Sequence, residues 1–223
     1  MMTGSSLRLS LWMDRLRGVG QALHEYLGPQ RWRRREPVND RAALVRFVDT
    51  RASYIAQTSL YGYLRTRAGM RYPELFDDDP FVASINIAKW NVYLACLSDL
   101  AVYAGGMLLR AGVPTETVAA IMEGAVAEIL ANHGVPAEAD EGFQSHIDRV
   151  HARLAQCDWS RVTDDERPFS QSPAAVVHWA PIVSNLKELD AEIVMNSVRY
   201  RWQEVRRDLR NNLDADGVVR DVG

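Results

Sequence analysis

A chain of 223 residues with 47% apolar and 25% charged side chains can bury a real core, which excludes wholesale disorder. A formal charge of −3 argues neither for a nucleic-acid binder nor for an acidic chaperone. Two cysteines, Cys96 and Cys157, give neither a disulfide framework nor a zinc spacing, so a reducing compartment is the simpler expectation.

The charge is unevenly placed. Residues 1–36 carry seven Arg against Asp14, Glu25 and Glu36, a net +4, while the remainder carries −7. Within this basic arm the spacing predicts a helix from about Ser5 to Leu27. Leu9, Trp12, Leu16, Val19, Leu23 and Tyr26 recur at three- and four-residue steps and share one face. Gly18 and Gly20 each weaken that helix by about 1 kcal/mol relative to Ala, so it needs a surface to lie on. Arg8, Asp14 and Arg15 interrupt the apolar run that a secretory signal requires. The acid-free, Ser-rich first thirteen residues share a pattern with organelle transit peptides. Gly28-Pro29 ends the helix, and Arg31, Trp32, Arg33, Arg34 and Arg35 follow. The arm has three readings: packing on its own domain, docking onto a partner or an anionic membrane surface, and contact with nucleic acid through Trp32. The acidic remainder disfavours the last.

A second helix is expected from Asn39 or Asp40, as cap, to about Arg67, with Gly69 as its stop and Arg46, Thr50, Ser53 and Gln57 as its polar stripe. Residues 69–80 read as a loop whose Asp77, Asp78 and Asp79 cap the next helix. That third helix runs to Arg110 and is the most apolar part of the chain. Residues 90–109 are long enough for a membrane span, but Asn91, Ser98 and Asp99 favour a buried central helix. Gly105-Gly106 permits close helix approach or a kink near its end. Thr115 caps a fourth helix through about Asn132, with His133-Gly134-Val135-Pro136 as its stop, and a fifth spans about Ala139–Gln156. Residues 157–172 read as irregular. Pro173 opens a short helix that Pro181 divides. A last helix is expected from about Leu189 to Asn211 with Ile193, Val194, Val198, Trp202, Val205 and Leu209 inward, and a frayed tail from Asp214 to Gly223. The fold expectation is an all-α bundle of six to eight helices over 37–213, preceded by the basic amphipathic helix.

No phosphate loop or serine elbow occurs, and the sequence points to no catalytic residue, cofactor or metal. His146, Asp148 and His151 form the most ligand-like cluster, yet His146 and His151 are about 140° apart on one helix, which leaves a solvated face as the plainer reading. Asp99 stands out more. A carboxylate inside an apolar helix needs a partner, and Arg46 or Arg51 are the nearest candidates by sequence. With Lys89, Asn86 and Tyr61 it defines a candidate polar pocket. His178-Trp179 reads as a packed pair, with a pocket lip as the alternative.

The leading expectation is a non-enzymatic helical interaction or scaffolding protein of the cytoplasm. It would dock to a larger assembly, a second copy or an anionic membrane surface through Leu9, Trp12, Leu16, Leu23 and Arg31–Arg35. The alternative is a small-molecule-binding protein or enzyme with a buried pocket around Asp99.

Overall fold

The computed structural model describes residues 36–220. The basic arm, with every docking residue expected on it, lies outside the described residues. The first described helix, α1 (Arg41–Ala68), begins where its cap is expected: Asp40 is extended and its Oδ1 accepts the Ala43 amide at 2.6 Å. It ends at Gly69, whose φ of 56° suits a residue without a Cβ. Ser53 departs from the expected polar stripe and is buried. Several helices cover α1, so its inward surface is wider than one stripe.

Residues 69–77 are two 3₁₀ turns, Gly69–Arg71 and Pro73–Asp77, rather than an irregular loop. Asp78 occupies the cap position of α2 (Asp79–Arg110) without making the expected side-chain bond. By length and composition α2 is able to cross a membrane, yet 83% of its most apolar window is buried inside the bundle. It packs against α1 and against α3 (Thr115–His133), α4 (Phe143–Ala155) and α5 (Gln171–Trp179). Pro114, not Thr115, holds the cap position of α3.

Three expectations near the C-terminus are corrected. The last long helix, α6 (Ser184–Asn212), starts five residues earlier than Leu189, directly after the break at Pro181. Ile193, expected inward, is 72% exposed, because the buried stripe runs through Val194, Val198, Trp202, Val205 and Leu209. Nor are residues 215–220 of the expected tail frayed; the last three residues of that tail lie outside the described residues. Residues 215–220 form α7 (Ala215–Arg220) with Val218 fully buried. The cause is a backbone tie: Val38 N donates to Asn212 O at 2.8 Å, and Asp214 N donates to Val38 O at 2.9 Å. These bonds seat the segment beside the start of α1.

The described residues thus form an all-α bundle of seven α-helices, without a strand among them. Three of the helices meet at Asp49 of α1, whose Oδ1 accepts from Tyr93 Oη of α2 at 2.6 Å and contacts His133 Nε2 of α3 at 2.9 Å. Burial opposes ionisation of Asp49, but these two neighbours outweigh it and hold the carboxyl below its ordinary value. His133 is held correspondingly high by its bond to Asp49.

The glycine pair of α2 serves a loop rather than a helix. A Cβ at Gly105 would overlap the Trp159 ring, and one at Gly106 would overlap Val162. The segment between α4 and α5 therefore lies flat on α2. Phe169 of that segment stacks on Trp202 of α6 at 4.5 Å between centroids and meets Tyr103 of α2 at 5.1 Å. Tyr103 Oη donates to Asp164 Oδ1 at 2.7 Å, and Arg210 donates to Oδ2 at 3.0 Å. An alanine in a helix is worth about 1 kcal/mol over glycine. Overpacking against a buried ring costs about 1–3 kcal/mol and has the larger effect here, because Trp159 is 3% exposed. Gly105→Ala is expected to lower stability by about 2 kcal/mol, read as a lower urea midpoint at constant slope. A raised midpoint would show that Trp159 is free to swing aside.

Candidate functional site

Helix α5 begins without a cap of its own. Ser170, at its cap position, makes no side-chain capping bond, which leaves the first amides of the helix to be satisfied from elsewhere. Asp99 supplies the acceptors. Its Oδ2 accepts from Ser172 N at 2.7 Å and its Oδ1 from Gln171 N at 3.1 Å. Arg153 Nη1 of α4 donates to the same Oδ1 at 2.6 Å and to Ser98 Oγ at 3.1 Å. Arg153 Nη2 donates to Pro168 O at 2.8 Å, and Trp202 Nε1 donates to Ser172 Oγ at 3.0 Å. Asp99 is completely buried. Burial raises its carboxyl above the ordinary value, while the Arg153 charge and the Ser172 amide and hydroxyl pull against that rise.

The partner is thus Arg153, not Arg46 or Arg51. Arg51 pairs with Asp208 of α6 at 3.3 Å. Arg153 lies at the edge of the apolar stripe of α4, between Val150 and Leu154, and that position was the available signal for a buried cation. Nor do the other expected pocket residues join Asp99. Lys89 and Asn86 precede it by ten and thirteen residues on the same helix, about 15 and 20 Å along the axis. They bond to each other at 3.0 Å, and Lys89 lies 3.7 Å from Glu138 and 5.6 Å over the Trp90 ring. Tyr61 is half-buried on α1, its phenol pushed up to about 12 by burial and by Tyr72.

A different concavity exists. A groove of about 650 Å³ runs between α2, α4 and α5, with Leu94, Ala95, Val150, Ala174 and Ala175 among its apolar lining. Its polar lining includes Asn91, His146, Arg149, Gln171, His178 and Trp179. Trp179 sits between the two imidazoles, 5.3 Å from His146 and 4.9 Å from His178 between centroids. His146 is held below its ordinary value by burial and by the positive charges of Arg149 and His178, with Asp140 opposing. Asn91 is 3% exposed; its Nδ2 donates to Ile87 O at 3.1 Å and to Asp140 Oδ2 at 3.5 Å. Asn91 Oδ1 is buried without a partner, as is Asp140 Oδ1.

The pair His178-Trp179 thus lines a groove. His146 and His151 part company, His151 lining a separate hollow with Glu123 and Gly124 of α3. Asp148 instead accepts from Gln144 at 3.1 Å. Among the described residues no group of three or more His, Cys, Asp or Glu is placed to hold a metal ion. No family model, curated protein or solved structure matches this chain.

The Asp99 network makes a sharp expectation. Asp99→Ala strands the Arg153 charge and two amides, and should cost about 3–5 kcal/mol. The double variant Asp99→Ala/Arg153→Ala should lose clearly less than the sum of the two single losses, because the groups act as one unit. Urea denaturation of the four species measures this, and strict additivity would show that the contact carries no coupling.

Proposed function

We propose that this chain is a non-enzymatic helical interaction protein that docks partners through the outward face of α6 and through its basic arm. The observation that carries the reading is an apolar stripe on which none of the described residues packs. Among the described residues six large apolar side chains are strongly exposed. Met70, Val135 and Val183 stand singly at or beside turns, and single exposed residues need no explanation. Leu189, Ile193 and Tyr200, at 74%, 72% and 71% exposure, instead share one face of α6, within about 40° of each other at 100° per residue. They lie opposite the stripe that α6 buries in the bundle. A Tyr beside aliphatic groups is also a common composition for a binding hot spot.

The arm supports the same reading from the sequence side, through the stripe Leu9, Trp12, Leu16 and Leu23 and the cations Arg31–Arg35. A protein partner fits best, an anionic membrane surface is the second docking target, and free Cys96 and Cys157 fit a cytoplasmic setting. Full-length chain carrying Leu189→Asp, Ile193→Asp and Tyr200→Asp should keep the helical circular dichroism and melting temperature of the parent. It should lose a partner that the parent captures, identified by mass spectrometry of both eluates. Equal capture by both chains would remove α6 from the reading.

A second reading is favoured by Asn91 Oδ1, the unpaired acceptor of a residue that lines the groove. There the chain would bind a small planar molecule that offers an N–H to Asn91 and a flat face to Trp179. This moves the small-molecule alternative away from Asp99, whose oxygens are occupied by donors. Planar nitrogen heterocycles such as indazole and benzimidazole, titrated into the full chain, should shift the His146 and His178 imidazole resonances in NMR spectra. His146 should titrate below 6.5 before they are added. Resonances unmoved at millimolar heterocycle would dismiss this reading.

A further inference from the structure

We infer that the outward face of α6 pairs, antiparallel and about a two-fold axis, with the same face of a second copy of this chain. The inference rests on α6 being a docking surface and names its occupant. Three features select a copy of the chain itself. The first is the shape of the stripe. Leu189, Ile193 and Tyr200 span eleven residues, about 17 Å of helix, a narrow seam of the kind one other helix covers.

The second is charge. Glu192 and Arg199 flank the seam on the same side, about 20° apart around the helix at 100° per residue. Neither has an ion-pair partner among the described residues; Arg199 only donates to Asn196 Oδ1 at 2.9 Å. In a parallel pair about an axis along the helices opposite flanks meet, so Glu192 and Arg199, which share one flank, would face neither each other nor their counterparts. An antiparallel pair with Asn196 on the axis sets Glu192 of each copy within one residue of the level of Arg199 in the other. In such a pairing, flanks on the same side of the seam meet. The same register puts Ile193 within one residue of the level of Tyr200 of the second copy, so these two groups cover each other, while Leu189 lies at the level of Gln203. Antiparallel alignment also opposes the two helix dipoles favourably.

The third feature excludes the lipid alternative for this face. An interfacial helix gains from cations beside its apolar stripe, whereas Glu188 and Glu192 border the N-terminal half of this one and would meet anionic lipid unfavourably. A two-fold pair uses both signs. Its interface is isologous, since each contact across the seam occurs twice, Glu192 with Arg199 of the second copy and the reverse.

Sedimentation equilibrium of the full chain, over about two decades of concentration around the micromolar range, tests this. A monomer–dimer equilibrium is expected. Ile193→Asp should raise the dissociation constant about tenfold or more. Glu192→Arg and Arg199→Glu should each weaken the dimer, because each places like charges across the seam. The double variant Glu192→Arg/Arg199→Glu restores opposite charges and should recover the parent constant. Circular dichroism confirms that each surface variant is folded. A monomer at all concentrations overturns the inference. So does a dimer indifferent to Ile193→Asp, or a double variant no tighter than the singles. If the chain is monomeric yet still captures a partner through α6, the docking reading stands and the occupant is a different protein. If both fail, the docking reading falls too.

Discussion

A carboxylate cut off from water must find donors inside the protein, and Asp99 finds them on segments far apart in the chain. Arg153 comes from α4, and the amides of Gln171 and Ser172 open α5. One side chain on the central helix therefore orients a neighbouring helix through an ion pair and caps another across the core. The Arg153 guanidinium continues outward to Pro168 O, and Ser172 continues to Trp202 on α6. Four helices share one network. In a fully buried setting such a group costs much to leave unpaired, so the arrangement of α4, α5 and α6 around α2 is held to one solution.

The irregular segment between α4 and α5 gains its order from the same constraint. Arg153 fixes its end at Pro168, while Gly105 and Gly106 leave room for Trp159 and Val162 along α2. Phe169 then fills the space between Tyr103 and Trp202. The groove follows from this packing. Once α5 is capped by Asp99, its outer face, with Ala174, Ala175 and His178, stands beside His146 and Arg149 of α4 over the Asn91 end of α2. A structural carboxylate thus positions a concavity in which it takes no part.

The two faces proposed for recognition differ in physical kind. The groove combines two imidazoles, an indole and an unpaired amide oxygen, a setting for directional hydrogen bonds and ring stacking. The outer face of α6 is a seam of three apolar groups with one acid and one base beside it, a setting for water exclusion with charge-set orientation. Both sit on helices whose opposite faces are buried, so their geometry is held without a ligand.

Much of the helix layout was legible in the sequence, because caps and stops act locally. Asp40, Gly69, Gly134 and the Pro181 break bound their helices through local preferences, and the three-to-four-residue rhythm told which faces of α3 and α4 turn inward. That an isolated Asp in the most apolar helix must be paired was also readable, since desolvation does not depend on the fold. Its partner was not. Arg153 is 54 residues away, and only the packing of α4 on α2 brings them together. Lys89 and Asn86 show the reverse error: they share a helix with Asp99, but rise per residue carries them out of reach. Ile193 was misplaced because a rhythm alone does not say how wide a buried stripe is, and the tail after Asp214 gains order from Val38, at the other end of the described chain. The sequence by itself determined where helices begin, end and turn their apolar sides. Tertiary structure alone decided which charges meet and which apolar residues remain in water, because those depend on contacts between residues that chain order does not relate.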